Sequence, residues 1–321
     1  MIDCRNRVLF VMDLSNFEYQ TVFSAERDWK KMYPDESSFL MNKWITDQDN
    51  LPDLLNHQTY RRVLNRTVQT MFDKMLGIAK KWHQSEIDSA EGMDVFLTED
   101  DRLAGNFRKK LYPEYKQQRK AKLYEFDVFK SIDYVRNVVF KDLGFEDKLG
   151  YKIVKVEDCE SDDIIAVLMN RYKDYMCRIL ISSDRDYLQL ENVNQYNGFG
   201  IQVEPYVKTT TGKVILERKD FLLWKIIRGD PSDNIKGLFP GVGDVKSIPL
   251  AQDREKLKQL LREDNAAAMR YKLNRELIDF RKIPQEIVTK IGKALDEKMA
   301  EIVPEEKIDF GECIVVKRKE G

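Results

Sequence analysis

Soft metal ligands are scarce in this chain of 321 residues. It holds two histidines, His57 and His83, and four cysteines, Cys4, Cys159, Cys177 and Cys313, with no CxxC pair. That scarcity argues against a structural zinc motif and a disulfide framework, and it fits a reducing compartment. Long apolar runs are missing as well. The amino-terminal run, Val8 to Met12, ends at Asp13 and is too short for a signal-peptide core or a membrane span, so a soluble cytoplasmic protein is expected. Nor does one charge sign dominate. The chain has 54 Lys and Arg against 55 Asp and Glu, so the balance names no partner and the distribution must be read instead.

What is present is an alternation of strand and helix patterns. Residues 7–13, 94–98, 151–156 and 178–183 are apolar runs that read as buried strands. Between them, 58–84 places Val63, Val68, Met71, Phe72, Met75 and Leu76 at helical spacing, and 161–176 does so with Ile164, Ile165, Val167 and Leu168. The alternation implies an α/β fold with a central, mostly parallel sheet flanked by helices. Residues 21–57 show few clear periods and are expected to form a loop-rich insertion. From about residue 219 the pattern changes to helix, loop and helix, punctuated by Gly229, Pro231, Gly237, Pro240, Gly241 and Gly243. The expected division is an α/β body over 1–225 and a helical lobe with a tail over 226–321.

Carboxylates gather where these strands end. Asp13 follows the first, Asp100 and Asp101 the second, and Asp184 and Asp186 the fourth. Glu157, Asp158, Glu160, Asp162 and Asp163 form another group, and Asp230 and Asp233 a fifth. Parallel neighbours open their carboxyl ends on one crevice. So many like charges in one pocket require a multivalent cation. Oxygen ligands without histidine or thiolate select Mg²⁺ or Mn²⁺, and two such ions suit an in-line phosphodiester displacement. Two groups alone have an ordinary explanation: Asp162 and Asp163 sit where a helix start favours acids, and Gly229-Asp-Pro-Ser-Asp233 reads as a turn. Asp13 and Asp184 are less easily explained, since an acid after a buried run gains nothing structurally. The coincidence of five groups favours the metal centre.

Between Arg102 and Lys122, eight basic residues, among them Arg108, Lys109, Lys116, Arg119 and Lys120, face the single acid Glu114. Phe107, Tyr112, Tyr115 and Tyr124 are interleaved or adjacent. Cations meet phosphates and rings stack on bases in single-stranded nucleic acid. A solvated helix face would carry similar charge, but this stretch begins directly after Asp100 and Asp101 and would overhang their pocket. The segment 229–246, with Lys236, Gly241, Gly243 and Lys246, can offer backbone N–H groups to a phosphate without reading sequence.

In this order the motifs resemble the flap endonuclease / 5′-nuclease family, and most closely its bacteriophage ribonuclease H branch. The carrying residues are Val11-Met-Asp13-Leu-Ser-Asn16, Phe107 to Arg119, Glu160-Ser-Asp162-Asp163, Ser182-Ser-Asp184-Arg-Asp186 and Gly229-Asp-Pro-Ser-Asp233. Arg270 to Pro284 resembles the phage branch further on. The resemblance implies a PIN-like nuclease domain over 1–225 with a helical arch at about 102–125, and a helix–turn–helix lobe that grips duplex backbone. It implies a 5′→3′ exonuclease and flap endonuclease that removes RNA primers and 5′ flaps in DNA replication by two-metal hydrolysis with Mg²⁺, Mn²⁺ serving as substitute. Carried over by position, Asp13, Asp100, Glu160, Asp162 and Asp163 surround a first ion, and Asp184, Asp186, Asp230 and Asp233 a second. Asp100 and Asp101 compete for one place, and the preceding strand favours Asp100. Lys116 and Arg119 would neutralise the scissile phosphate, and Tyr115 would stack on a terminal base. Arg108, Lys109, Lys120, Lys236, Gly241, Gly243 and Lys246 would contact nucleic acid. Some relatives bind K⁺ in the duplex-gripping element; here Lys236 replaces a usual proline and Leu238-Phe-Pro240 lengthens the loop, which argues against K⁺.

The implied substrates are branched or flapped DNA and RNA–DNA duplex. A phage-type replisome in a host cytoplasm would add a single-strand DNA-binding protein and a sliding clamp, with Lys317-Arg-Lys319 a candidate contact. A monomer without membrane association is expected. An aspartyl phosphatase would need a second acid two residues after Asp13, where Ser15 stands. A branched-DNA-binding protein that does not cut is the remaining alternative, and its mark would be eroded acids, whereas every matched acidic position is filled.

Overall fold

The computed structural model describes residues 4–40, 50–101, 106–117, 124–146 and 149–300. Its centre is a sheet of β1 (Arg7–Asp13), β2 (Gly92–Glu99), β3 (Lys152–Lys155), β4 (Cys177–Ile181) and β5 (Asn194–Tyr196). The order is β3-β2-β1-β4-β5, and each neighbouring pair is parallel. The unbroken apolar run of β1 follows from its position. Val8, Phe10 and Met12 enter one core and Leu9 and Val11 the other, so both faces of the central strand are buried.

Helices α1 (Leu14–Met32), α2 (Pro34–Ser37), α3 (Gln58–Ser89), α4 (Phe107–Leu111), α5 (Val128–Tyr134) and α6 (Phe140–Asp142) precede β3, and α7 (Ser161–Arg171) joins β3 to β4. α1, α3 and α5 fill the first core, α7 the second. The path runs from β1 outward through β2 to β3, then crosses by α7 to β4 on the other side of β1. That reversal opens a crevice beyond the carboxyl ends of β1 and β4.

The expected insertion at 21–57 is in part a continuation of α1. Phe17, Thr21, Val22, Ala25 and Trp29 form its buried stripe, and Trp29 Nε1 donates to Thr59 Oγ1 of α3 at 2.9 Å. Charged and polar residues between those positions hide the period from a local reading.

A β6 (Tyr206–Thr209) and β7 (Gly212–Ile215) hairpin precedes α8 (Arg218–Arg228), α9 (Asp244–Gln252), α10 (Arg254–Glu263), α11 (Asn265–Ile278) and α12 (Gln285–Ala300). Phe221, Trp224, Ile227, Leu238, Ile248 and Leu257 form the core of this lobe. The expected boundary at 225 falls inside α8. The last helix returns to the sheet, where Ile291 and Leu295 pack in one core with Ile164 and Leu168. Apolar residues of α12 thus complete the α/β body from the far end of the chain.

The turn after α8 requires glycine. Gly229 has φ +77, and a Cβ there would fall 2.3 Å from the carbonyl oxygen of Ile235. The backbones of Asp230 and Ile235 pair across this turn at 2.9 and 2.8 Å, which aims Asp230 back at the sheet. Asn274 of α11 locks the turn by donating from Nδ2 to the carbonyls of Ile226 and Lys236 at 2.9 and 2.8 Å.

Candidate metal centre and nucleic-acid interface

The acids converge because each sits where a strand ends or a helical turn begins. Asp13 closes β1 and caps α1, accepting from the Asn16 backbone N–H at 3.1 Å. Asp100 follows β2 and accepts from the Ser161 N–H at 2.7 Å, while its own N–H donates to Ser15 Oγ at 3.0 Å. Ser161 Oγ in turn donates to Asp13 Oδ1 at 3.3 Å. Asp101, the other claimant, points elsewhere. It accepts from the Asp158 N–H at 3.0 Å and pairs with Lys155 at 3.3 Å.

Burial, and then the neighbouring Asp100 and Asp184, push the Asp13 carboxyl up to about 7. Asp162 is half-buried, and desolvation drives its carboxyl well above the usual carboxylate range, with Asp184, Asp13 and Glu160 adding to the effect. Tyr187, itself buried, donates its hydroxyl to Asp162. Asp184 stands at the mouth and accepts from the Asp186 N–H at 2.9 Å. With Asp162, Asp186, Asp230 and Asp233 it lines an open pocket of about 370 Å³.

Two lysines neutralise part of this charge. Lys116 reaches Glu160 with its ammonium, and its backbone takes a left-handed conformation, φ 55, with its N–H donating to the Asp233 carbonyl at 2.9 Å. Burial raises Glu160, but Lys116 and Arg108 outweigh it and hold the carboxyl below its ordinary value. Lys225 is the cation that sequence reasoning missed. From α8 its ammonium pairs with Asp186 and lies 3.0 Å from Asp230. Desolvation opposes ionisation of Asp230, yet Lys225 and the Ser232 hydroxyl hold that carboxyl low. The available signal was a lone charge within the apolar run Leu222-Leu-Trp-Lys225-Ile-Ile227, five residues before Asp230.

Three expected residues are placed differently. Asp163 is fully buried and turned from the crevice, gripped by Arg108 at 2.8 and 2.9 Å in a two-pronged ion pair. It also completes a capping box with Glu160 at the start of α7. Arg108, expected on nucleic acid, is 3% exposed; it holds Asp163 and Glu160 and donates from Nε to the Leu277 carbonyl at 2.9 Å. Tyr115, expected to stack on a base, is buried with Ile226, Ile235, Leu277 and Ile278. Its hydroxyl donates to Glu160 at 3.0 Å and Asp233 at 3.1 Å, so it ties the acidic groups together. The cause is shared: α4 lies against α11, a contact between segments distant in sequence.

Lys109, Lys236, Gly241, Gly243 and Lys246 are all exposed. Arg119, Lys120, the other arch residues at 102–105, 118 and 121–123, and the tail Lys317-Arg-Lys319 lie outside the described residues. Among the described residues no helix is long and apolar enough to cross a membrane.

A parallel α/β sheet with a carboxylate crevice at its switch point, bordered by a basic segment and a helical lobe, defines a nuclease-like class of protein. The comparisons make this specific. Residues 62–218 match the 5′-3′ exonuclease N-terminal resolvase-like domain, and residues 239–310 match the C-terminal domain of T4 RNase H. Two separate segments of the chain thus match domain models of the 5′-nuclease family. It is 28% identical over 170 residues to a 5′-3′ exonuclease of Mycoplasmopsis pulmonis, covering 52% of this chain and 53% of that one. It is 30% identical over 159 residues to the ribonuclease H of Enterobacteria phage T4, covering 44% and 50%. The chain thus spans about half the length of these relatives. The bacteriophage T5 D15 flap endonuclease, solved as a pseudo-enzyme-product complex with DNA and metal ions, superposes with a TM-score of 0.54 at 18% identity, over 91% of this chain and 99% of that one. That likeness is one of fold.

Proposed function

We propose that this protein is a Mg²⁺-dependent, structure-specific 5′ nuclease that acts as a 5′→3′ exonuclease and flap endonuclease, removing RNA primers and 5′ flaps in DNA replication. The observation that carries this reading is the meeting of Asp13, Asp100, Glu160, Asp162, Asp184, Asp186, Asp230 and Asp233 around one crevice. The donor set fits hard divalent cations. It is all oxygen, and Asp13 and Asp162 are pushed up by desolvation first and by the neighbouring carboxylates next, a combination that a divalent cation would relieve. Asp13, Asp100, Glu160 and Asp162 would hold one cation, and Asp184, Asp186, Asp230 and Asp233 a second, with Asp163 steadying Glu160 through Arg108 rather than ligating. Such ions supply an activated water and charge neutralisation at the departing oxygen.

The chain's own residues do the rest. Lys116, held at the crevice by its backbone bond to Asp233, places a positive charge beside the site where a phosphate would sit. Arg119 is assigned the same role. Lys236 and Lys246, with the exposed backbone at Gly241 and Gly243, would hold duplex phosphates. Branched DNA and RNA–DNA duplex are the corresponding substrates, and a single-strand DNA-binding protein and a sliding clamp are candidate partners.

The deciding experiment follows 5′-labelled flap, nicked and RNA-primed substrates with and without Mg²⁺. Metal-dependent release of short 5′ products is expected, and Asp184→Asn should abolish it while substrate affinity stays within a few-fold. Full cleavage by Asp184→Asn would remove that residue from the metal centre. Tight branched-DNA binding without any cleavage would favour a non-cutting binding protein.

A further inference from the structure

We propose that His83, Glu86 and Cys177 form a separate site for a Zn²⁺-class divalent transition ion, at the opposite end of the sheet from the acidic crevice. Cys177 is the first residue of β4, whose other end leads to Asp184, and His83 and Glu86 lie one turn apart near the end of α3. Their potential ligand atoms all fall within 4.8 Å of one another. His83 Nδ1 is 3.5 Å from Cys177 Sγ and 3.4 Å from Glu86 Oε1. A tetrahedral ion with Zn–S of about 2.3 Å and Zn–N or Zn–O of about 2.05 Å separates N from S by about 3.6 Å and N from O by about 3.4 Å. Both distances from His83 Nδ1 already match.

The surroundings are those of an oriented ligand set. His83 Nε2 faces the Tyr196 hydroxyl at 3.0 Å, which leaves Nδ1 to face the thiol and the carboxylate. Asn194 Nδ2 points at Cys177 Sγ at 3.6 Å, a donor suited to a thiolate. His83 breaks the helix locally, with φ −134 and ψ 28 inside α3, and local departures of this kind gather at functional positions. Cys177 and His83 are buried, whereas the Glu86 side chain is 39% exposed, so a fourth position can open to water. Burial pushes the Cys177 thiol up to about 11, so binding would exchange its proton for the ion and release that proton to solvent. The bound ion would pin the last turns of α3 to the start of β4. A hydrogen-bonded triad that holds no ion is the competing arrangement.

Co²⁺ titration of the full chain under anaerobic conditions, with saturating Mg²⁺ present for the acidic crevice, separates the two. One equivalent should give a near-ultraviolet thiolate-to-Co²⁺ charge-transfer band, lost in Cys177→Ser and retained in Cys159→Ser. Glu86→Gln changes a partly exposed side chain and spares the core; it should weaken Zn²⁺ binding at least about tenfold, as changes around metal sites do. No charge-transfer band in the folded protein, a band that survives Cys177→Ser, or unchanged Zn²⁺ affinity in Glu86→Gln would each overturn the proposal.

Discussion

At the residue scale, the crevice holds carboxylates that the fold forces together. Asp13 has its proton affinity raised from 3.8 to about 7. A group raised in the folded state contributes stability below its unfolded value, and that contribution is lost as pH rises through the folded one. In chelator, stability should therefore fall between about pH 4 and pH 7. Asp13→Asn keeps an acceptor for the Asn16 N–H, because Asn caps as well as Asp. Its melting temperature in chelator at pH 8 should exceed the parent's by about 2–4 °C while cleavage is lost; an unchanged melting temperature would mean that the carboxyl is not strained by its neighbours. Lys116→Ala should lower the single-turnover cleavage rate by about 100-fold with affinity altered only a few-fold, the scale of losing a group that meets developing charge. A change in affinity alone would confine Lys116 to binding.

At the element scale, several site acids are also caps. Asp13 caps α1, Glu160 and Asp163 box the start of α7, and Asp184 and Asp230 cap the short turns that follow them. Capping a helical turn and lining the crevice are therefore compatible roles for one carboxylate, because these turns begin at the crevice. The loop from α8 to α9 extends the same logic to substrate. It exposes Lys236 and, in the first turn of α9, Lys246. Replacing both by Ala should reduce the slope of log affinity against log salt for duplex DNA by about 2, one for each phosphate contact. An unaltered slope in a salt titration would place the duplex grip elsewhere.

At the scale of the whole molecule, Lys225 links the two lobes through charge. It rises from α8 to join Asp186 of the α/β body with Asp230 of the turn leading into the helical lobe. Removing it leaves two largely buried carboxylates without their counter-ion. Lys225→Met should destabilise the chelated protein by about 3 kcal/mol, with Mg²⁺ recovering part of the loss. Urea unfolding with and without Mg²⁺ checks this, and equal stability of the variant would exclude the counter-ion role.

Four of the five strands of the central sheet, their parallel arrangement and the acidic groups were legible in the chain, because a buried strand needs an unbroken apolar run and a carboxylate after it has a defined place in a parallel sheet; β5 and the β6–β7 hairpin, which lack such a run, were not. The preceding strand favoured Asp100 over Asp101, but the pairing of Asp101 with Lys155 and the Asp158 N–H could not be read from it. Nor could local pattern show that Arg108 and Tyr115 turn inward to Asp163, Glu160 and Asp233, or that Lys225 divides its charge between two acids. His83 and Cys177, too scarce and too far apart to form a motif, become neighbours only when α3 lies against β4. Pattern along the chain decides which elements form and which face they bury, since those depend on residues a few positions apart. Which charges meet, and which remain for a metal or a phosphate, is decided by packing, since burial and pairing energies depend on groups that only the tertiary fold brings together.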